Sequence, residues 1–168
     1  MESSRTRRKS SGKAPRKNST AQALLEQGRD VGTAAIMFHQ AVADRLGLNP
    51  TDHKCLDLVH RAGGATAGDL ADWTGLTTGA VTGLIDRLER AGFVRREDHP
   101  TDRRKVVVRV VPERLSDVGR LFHSLGEGMK ELSARYSEAQ LRVIVDYMSR
   151  SAELFRHETR RLRGEQVE

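Results

Sequence analysis

The chain has 168 residues, 37% of them hydrophobic and 4% aromatic, and a net charge of +6 from 29 Lys and Arg against 23 Asp and Glu. This composition predicts one domain with a modest core, and the positive balance favours an anionic partner such as nucleic acid. The single cysteine excludes a disulfide framework, and no window approaches the roughly 18 apolar residues of a membrane span, so we expect a cytoplasmic protein with no membrane contact.

The basic charge is concentrated at the N-terminus. Residues 1–20 hold seven Lys and Arg and one Glu, so the rest of the chain is neutral overall. The segment is rich in Ser, Lys and Arg without an apolar run, which predicts a disordered tail and excludes a signal peptide. Two roles stay open for it: salt-dependent contact with a phosphate backbone, or a solubilising leader with no fixed partner.

Two helices are predicted next. Residues 21–47 carry an apolar face at helical spacing, formed by Val31, Ala35, Phe38, Val42 and Leu46, and Gly47 ends this helix. Asn49-Pro50-Thr51 opens a second helix, where Cys55 has the surroundings of a small core residue rather than a redox sensor. The histidines show no ligand spacing with Cys55 or with each other, so we expect no metal site.

Residues 66–92 predict a helix-turn-helix. Thr66 is a helix N-cap with Asp69 in the first turn, and Gly75 breaks this short helix. A second helix starts at Thr77 or Thr78 and ends at Ala91-Gly92. Its apolar residues fall on one buried stripe: Val81, Leu84, Ile85 and Leu88.

A β-hairpin is predicted directly after the second helix. Residues 93–97 and 105–111 are predicted strands, the second composed mostly of valine, and a charged loop with Pro100 separates them. The loop ends in Asp102-Arg103-Arg104. Two guanidinium groups can bind phosphate oxygens or enter a narrow minor groove, and Asp102 is placed to hold a neighbouring arginine in one conformation. The alternative is a charged turn that is only solvated. Helix-turn-helix followed by hairpin is the order of a DNA-reading winged helix.

Two long helices are predicted after the hairpin. One carries apolar residues at alternating steps of three and four, and a capping box at Ser137-Glu138-Ala139-Gln140 starts the next. The first seam is Leu115, Val118, Phe122, Leu125, Met129, Leu132 and Tyr136, and the second is Leu141, Ile144, Val145, Met148, Ala152 and Phe155. These seams partly pack within one chain, but their extent favours a C₂ homodimer.

The fold class is therefore mainly α with a small β-hairpin wing (α+β). A winged helix-turn-helix at residues 48–111 is flanked by dimerisation helices at 21–47 and 112–163, behind the tail at 1–20. Leu70-Ala71, Gly75-Leu76-Thr77, the run from Val81 to Gly92, and Asp102-x-Arg104 closely resemble the multiple antibiotic resistance regulator (MarR) family. The layout agrees over about residues 20–163. The resemblance implies a ligand-responsive regulator, usually a repressor, that binds double-stranded DNA.

The same resemblance implies the DNA contacts. The second helix would enter the major groove and the wing the minor groove. The candidate residues are Thr77, Thr78, Gly79, Thr82 and Gly83 in the major groove, Thr66, Arg87 and Arg90 at the phosphate backbone, and Asp102, Arg103 and Arg104 on the wing. Relatives often have a larger polar residue at the position of Gly83, so we expect sparse direct base readout, close helix approach and more shape readout by the wing. Asp86 would repel phosphate unless Arg90 or a wing arginine pairs with it.

An effector pocket is implied between the dimerisation helices and the winged helix. The candidates are Phe38, His39 and His53, with Trp73 less directly implicated. For each of them a core or surface role is the favoured explanation, and we expect Trp73 to pack on the second helix of the helix-turn-helix. A small aromatic or anionic compound is the effector class that the family suggests, and no cofactor is required.

Three functional hypotheses differ in class. The first is a sequence-specific dimeric repressor on a pseudo-palindromic operator, and the second is an architectural, largely non-specific DNA-binding protein. An enzyme is disfavoured because the sequence shows no nucleophile-base pair, phosphate-binding glycine loop or metal cluster.

Overall fold

The computed structural model describes residues 19–99, 101–102 and 105–164. The chain has two compact units, Met1–His39 and Gln40–Glu168. The helices are α1 Ser19–Leu46, α2 Pro50–Ala62, α3 Ala67–Thr74, α4 Thr78–Arg90, α5 Pro112–Ser133 and α6 Glu138–Leu162; the strands are β1 Ala65–Thr66, β2 Val94–Asp98 and β3 Val106–Val110. Helix α1 begins inside the segment predicted as a tail, whose residues 1–18 lie outside the described residues.

The helix boundaries follow the capping signals in the sequence. Asn49 caps α2 by accepting a hydrogen bond from the Asp52 amide at 2.8 Å, with Pro50 in the first turn. Capping boxes open both α3, at Thr66 and Asp69, and α6, at Ser137 and Gln140. The predicted starts of these three helices are thus confirmed.

The hairpin is part of a three-stranded antiparallel sheet with the order β1-β3-β2. In the hairpin Val94 lies opposite Val110 and Asp98 opposite Val106. The short strand β1 joins the other edge of β3, where Ala65 lies opposite Val108. Strand β1 was not predicted from the sequence, because two residues are too few to show a period-two pattern.

The core lies in the winged helix-turn-helix, where α2, α3, α4 and the sheet meet. The four predicted stripe residues of α4 are at most 3% exposed. They pack with Leu56 and Val59 of α2, Leu70 of α3, and Phe93, Val94 and Val108 of the hairpin region. Cys55 is also buried here at 1% exposure, as predicted for a small core residue.

Helices α5 and α6 contain no buried residue. Their seams are largely exposed, and Phe155 reaches 73% exposure. The first seam ends sooner than the spacing predicted, because α5 stops at Ser133 and Tyr136 lies in the turn before α6. Within the described ranges, no helix combines the length and apolarity that a bilayer crossing requires.

Candidate nucleic-acid interface

The recognition helix α4 has one buried face and one outward face. Thr77 caps the helix by accepting a hydrogen bond from the Ala80 amide at 3.3 Å. Thr82 Oγ1 donates to the Thr78 carbonyl at 3.0 Å, so the hydroxyl is turned along its own helix while the side chain stays exposed. The three threonines predicted to meet a major groove thus lie together on the N-terminal half of one exposed face.

Two glycines of α4 lie where a larger side chain would meet little or nothing among the described residues. A Cβ built at Gly79 would meet nothing within 4 Å, and one at Gly83 would make only an ordinary contact of 3.6 Å with Arg87 Nη1. Glycine inside a helix costs about 1 kcal/mol relative to alanine. No contact of these glycines with the described residues offsets this cost. Bare backbone of this kind suits a helix surface that a binding partner approaches closely.

The carboxylates on α4 are neutralised from the wing. Arg96 on β2 donates through Nη2 to Asp86 Oδ1 at 2.5 Å and through Nη1 to Glu89 Oε2. Its backbone N–H also donates to Glu89 Oε1 at 3.1 Å. Hydrogen bonding to Asp86 is the largest cause that raises the pKa of Arg96. Of the two partners foreseen for Asp86, Arg90 or a wing arginine, the structure selects the wing strand.

Arg87 has a structural partner in the buried Asp52 of α2. Its Nε donates to Oδ2 at 2.9 Å and its Nη2 to Oδ1 at 2.8 Å. The Asp52 side chain is 3% exposed, whereas that of Arg87 is 49% exposed. The hydrogen bond to Asp52 raises the pKa of Arg87. About half of the Arg87 side chain is exposed, so the ion pair leaves part of it accessible to a phosphate. Contact of Arg87 with phosphate stays a prediction.

Arg90 lies on the wall of a shallow groove between α4 and the start of α2. The groove has a volume of about 410 Å³ and is lined by Gly47, Leu48, Asn49, Asp52, Arg87, Arg90 and Ala91. The exposed Arg90 side chain is thereby placed beside the N-terminal end of α2, where the helix dipole favours anions. Its predicted contact with phosphate is not tested by this placement.

Thr66 is committed to its capping box. Its hydroxyl donates to Asp69 Oδ2 at 2.8 Å and accepts from the Asp69 amide at 3.2 Å. The Thr66 amide donates to the same carboxylate, which is the largest cause that lowers the pKa of Asp69. The role expected for Thr66 at the DNA backbone stays a prediction beside this established role in starting α3.

The wing loop is described only in part. His99 and Lys105 close it, through the His99 amide to the Lys105 carbonyl at 3.1 Å and the Lys105 amide to the Asp102 carbonyl at 2.9 Å. His99 Nδ1 accepts from the amides of Thr101 and Asp102 at 3.3 and 3.2 Å. Arg103 and Arg104, the predicted minor-groove residues, lie outside the described residues, as does Pro100.

A second ion-pair group holds the strands of the wing together. Glu97 on β2 accepts from Arg95 Nε at 2.6 Å and pairs with Arg109 Nε on β3 at 3.0 Å. Arg109 also donates to the Gly63 carbonyl at the end of α2. The wing is therefore tied to the end of α2 through Arg109 on β3, and to α4 through Arg96 on β2.

The effector candidates lie on three helices: Phe38 and His39 on α1, His53 on α2 and Trp73 on α3. His53 is 4% exposed and its ring stacks on Phe122 with centroids 6.3 Å apart. Phe38 and His39 form an edge-to-face pair at 5.9 Å on α1. Trp73 is 44% exposed, although we expected it to pack on the recognition helix. For His53 the core explanation thus has direct support, and a pocket formed by these residues stays a prediction.

Two residues that position α4 were not identified from the sequence: Asp52, and Arg96 as the particular wing arginine that pairs with Asp86. Neither had a signal in the sequence, because each pairs across elements: Asp52 with a residue 35 positions away, and Arg96 with carboxylates 7 and 10 positions away. Among the described residues, no group of three or more His, Cys, Asp or Glu side chains is arranged to hold a metal ion.

Comparison with known proteins gives a consistent result. The MarR family model matches residues 48–106. The chain is 43% identical over 135 residues to the uncharacterized HTH-type transcriptional regulator YcgE of Bacillus subtilis, covering 80% of this chain and 88% of that protein. A MarR family protein from Bacillus stearothermophilus matches in fold with a TM-score of 0.63 at 18% identity, covering 81% and 95% of the two chains. The transcriptional regulator Tm0710 from Thermotoga maritima does so with a TM-score of 0.59 at 19% identity, covering 82% and 97%.

Proposed function

Because the chain belongs to the MarR family of DNA-binding, helix-turn-helix transcriptional regulators, we propose that it is a homodimeric, ligand-responsive repressor of a pseudo-palindromic operator. The observation that carries this proposal is the outward face of α4. Its N-terminal half presents three threonines and two glycines without bulky side chains, above a fully buried apolar stripe. This face can approach a major groove closely.

The chemistry of this face indicates how the operator is read. Threonine offers a methyl group to thymine and a hydroxyl to base edges or phosphates, whereas bidentate Arg-guanine and Asn-adenine contacts discriminate bases best. The outward face carries neither arginine nor asparagine at positions 78, 79, 82 and 83, which are Thr, Gly, Thr and Gly. Operator recognition therefore depends on backbone proximity, threonine contacts and the wing residues Asp102, Arg103 and Arg104, which would sense minor-groove shape.

The exposed seams of α5 and α6 support the homodimer. Leu125, Met129 and Leu132 on α5 and Met148 and Phe155 on α6 are each more than 40% exposed in the single chain. A C₂ partner that covers them would place two recognition helices on one side of the assembly. Such helices meet successive major grooves about 34 Å apart on a pseudo-palindromic site.

The proposed ligand response is placed at two residues of α1. The paired rings of Phe38 and His39 are half-buried, and such rings accommodate small aromatic or anionic molecules through stacking and hydrogen bonding. Benzoate is a suitable probe, since it combines an aromatic ring with a carboxylate. Release of operator DNA by benzoate, with a weaker response in Phe38→Ala, is the expected result.

The central experiment compares duplexes that tile the region upstream of the protein's own gene with a scrambled duplex of equal length. Fluorescence anisotropy at two salt concentrations should show at least one duplex bound about 10³ times more tightly than the scrambled one. A ratio below about tenfold would instead favour the architectural, non-specific alternative. Light scattering should give twice the 18.7 kDa mass of one chain.

The wing is tested with Arg104→Ala in the same assay. Loss of a minor-groove arginine should weaken operator binding strongly and leave the dimer mass unchanged. Undiminished binding would remove Arg104 from the recognition mechanism. Repression itself is tested by a reporter fused to the bound region, whose expression should rise when the regulator is deleted.

A further inference from the structure

Arg163 links the end of helix α6 to the turn of the helix-turn-helix. Its Nη2 donates to the backbone carbonyl of Thr74 at 2.6 Å, across 89 positions in the sequence. Thr74 is the last residue of α3. Carbonyls in the last turn of a helix lack partners within that helix, and this end of the helix dipole attracts cations. The guanidinium therefore stabilises the end of α3 from outside.

Gly75 makes room for this contact. Its φ is +70°, and a Cβ built there would lie 2.6 Å from Arg163 Cζ and 2.8 Å from Nε. At Gly47 and Gly92, which also have positive φ, a Cβ would meet nothing within 4 Å. The guanidinium thus lies against bare backbone at Gly75. The positive φ favours glycine there, and a Cβ at this position would displace the Arg163 guanidinium from its present place.

The residue that Arg163 contacts also organises the turn. Thr74 Oγ1 donates to the Leu70 carbonyl at 2.6 Å and accepts from the Leu76 amide at 3.3 Å. Thr77, directly after Leu76, is the N-cap of the recognition helix. Arg163 therefore holds a residue whose other hydrogen bonds fix the path from α3 to α4.

Arg163 is itself fixed at the end of α6. Its amide donates to the carbonyls of Thr159 and Arg160 at 3.1 and 3.0 Å, and Gly164 turns the chain away with a φ of +72°. A helix of 25 residues, Glu138–Leu162, thus ends against the turn. Any displacement of this helix end changes the support of the turn.

We propose that Arg163 is a positioning residue for DNA recognition, through which α6 sets the angle at which the recognition helix leaves the turn. This inference rests on the proposed operator-binding function. Arg163 contacts the backbone of the turn rather than the outward face of α4, so it acts through the orientation of α4. Specific binding needs the helix in register with base edges, whereas non-specific binding needs only phosphate contact. Loss of Arg163 therefore reduces the preference for the operator.

The test uses the full-length variants Arg163→Ala and Arg163→Lys with Arg160→Ala as the matched control. Arg160 lies about one turn earlier on α6 and is exposed, so its removal costs the same charge. Operator and scrambled duplexes are titrated at two salt concentrations, and melting temperatures establish that the variants are folded. Hydrogen exchange of the Leu76 amide reports on the turn without DNA.

Arg163→Ala should bind the operator about tenfold more weakly than Arg160→Ala, with equal affinity for the scrambled duplex and an equal salt slope. The Leu76 amide should exchange faster in Arg163→Ala, and Arg163→Lys, which keeps a donor, should be intermediate. Equal operator affinities in Arg163→Ala and Arg160→Ala would overturn the inference, as would a shallower salt slope, which marks a phosphate contact. If the wild type shows no operator preference, the proposed function fails. In that case the Leu76 exchange rate still tests the inference by itself: an equal rate in the wild type and in Arg163→Ala would overturn it.

Discussion

Arg87 on the recognition helix and Asp52 on α2 form a two-point ion pair, with Nε–Oδ2 and Nη2–Oδ1 distances of 2.9 and 2.8 Å. Asp52 is buried, and its backbone amide is already bound to the N-cap residue Asn49. The pair therefore joins the start of α2 to the middle of α4. It fixes the recognition helix against the body of the domain with geometry that a lysine could not reproduce.

Arg87→Ala should lower the free energy of unfolding, because it leaves a buried carboxylate without its partner. The loss should be smaller than for a fully buried pair, since the Arg87 side chain is 49% exposed. Chemical denaturation measures the change. Arg90→Ala, an exposed arginine on the same helix, is the control and should change stability by less than about 0.5 kcal/mol. Similar losses in the two variants would contradict a structural role for the ion pair.

Arg96→Ala should weaken operator binding by about tenfold, because Asp86 and Glu89 would face DNA phosphates without a counter-charge. The loss should shrink at high salt, where repulsion between exposed charges is screened. Adding Asp86→Asn to Arg96→Ala should recover part of the affinity. If the double variant binds no better than Arg96→Ala, repulsion by Asp86 is not the cause of the loss.

Gly79→Ala and Gly83→Ala should each stabilise the protein by up to about 1 kcal/mol, since alanine is the better helix residue and the added Cβ meets no obstacle. The same variants should bind the operator more weakly, because the methyl group keeps the helix away from the groove. Gly119→Ala on α5 also adds a Cβ in open space and should stabilise without this loss. Unchanged operator affinity in Gly79→Ala and Gly83→Ala would show that the helix backbone does not approach DNA closely.

Cys55 should be protected from alkylation in the native protein. Burial, with a smaller contribution from the Asp52 charge, raises the pKa of its thiol from 9.0 to about 11. At pH 8 the thiolate fraction is then about 100-fold lower than in the unfolded chain. Iodoacetamide labelling with and without urea measures this ratio, and no other thiol interferes. Equal rates in both conditions would contradict the burial of Cys55.

The same shift makes stability depend on alkaline pH. The native state binds the thiol proton more tightly than the unfolded chain does. The unfolded chain therefore loses this proton at a lower pH than the folded protein. This contribution is fully present below pH 9.0 and is lost as the pH rises toward about 11. The stability difference between the wild type and Cys55→Ala should therefore decrease over that interval.

The sequence by itself determined the elements that depend on short-range interactions. The caps at Asn49, Thr66, Thr77 and Ser137 bond residues three positions away, and the α4 stripe follows from helical periodicity. Such signals lie within one or two turns of the chain, so they mark the helix-turn-helix, the hairpin and the long C-terminal helices.

Only the tertiary structure decided which side chains meet across elements. It paired Arg96 with Asp86 and Glu89, Arg87 with Asp52, and His53 with Phe122, and it placed Arg163 against Thr74. These contacts depend on the angles and distances at which helices and strands pack, and no local pattern encodes those quantities. The sequence thus identified the helix that we propose to face DNA, whereas the packing of the chain identified the residues that fix this helix against the rest of the domain.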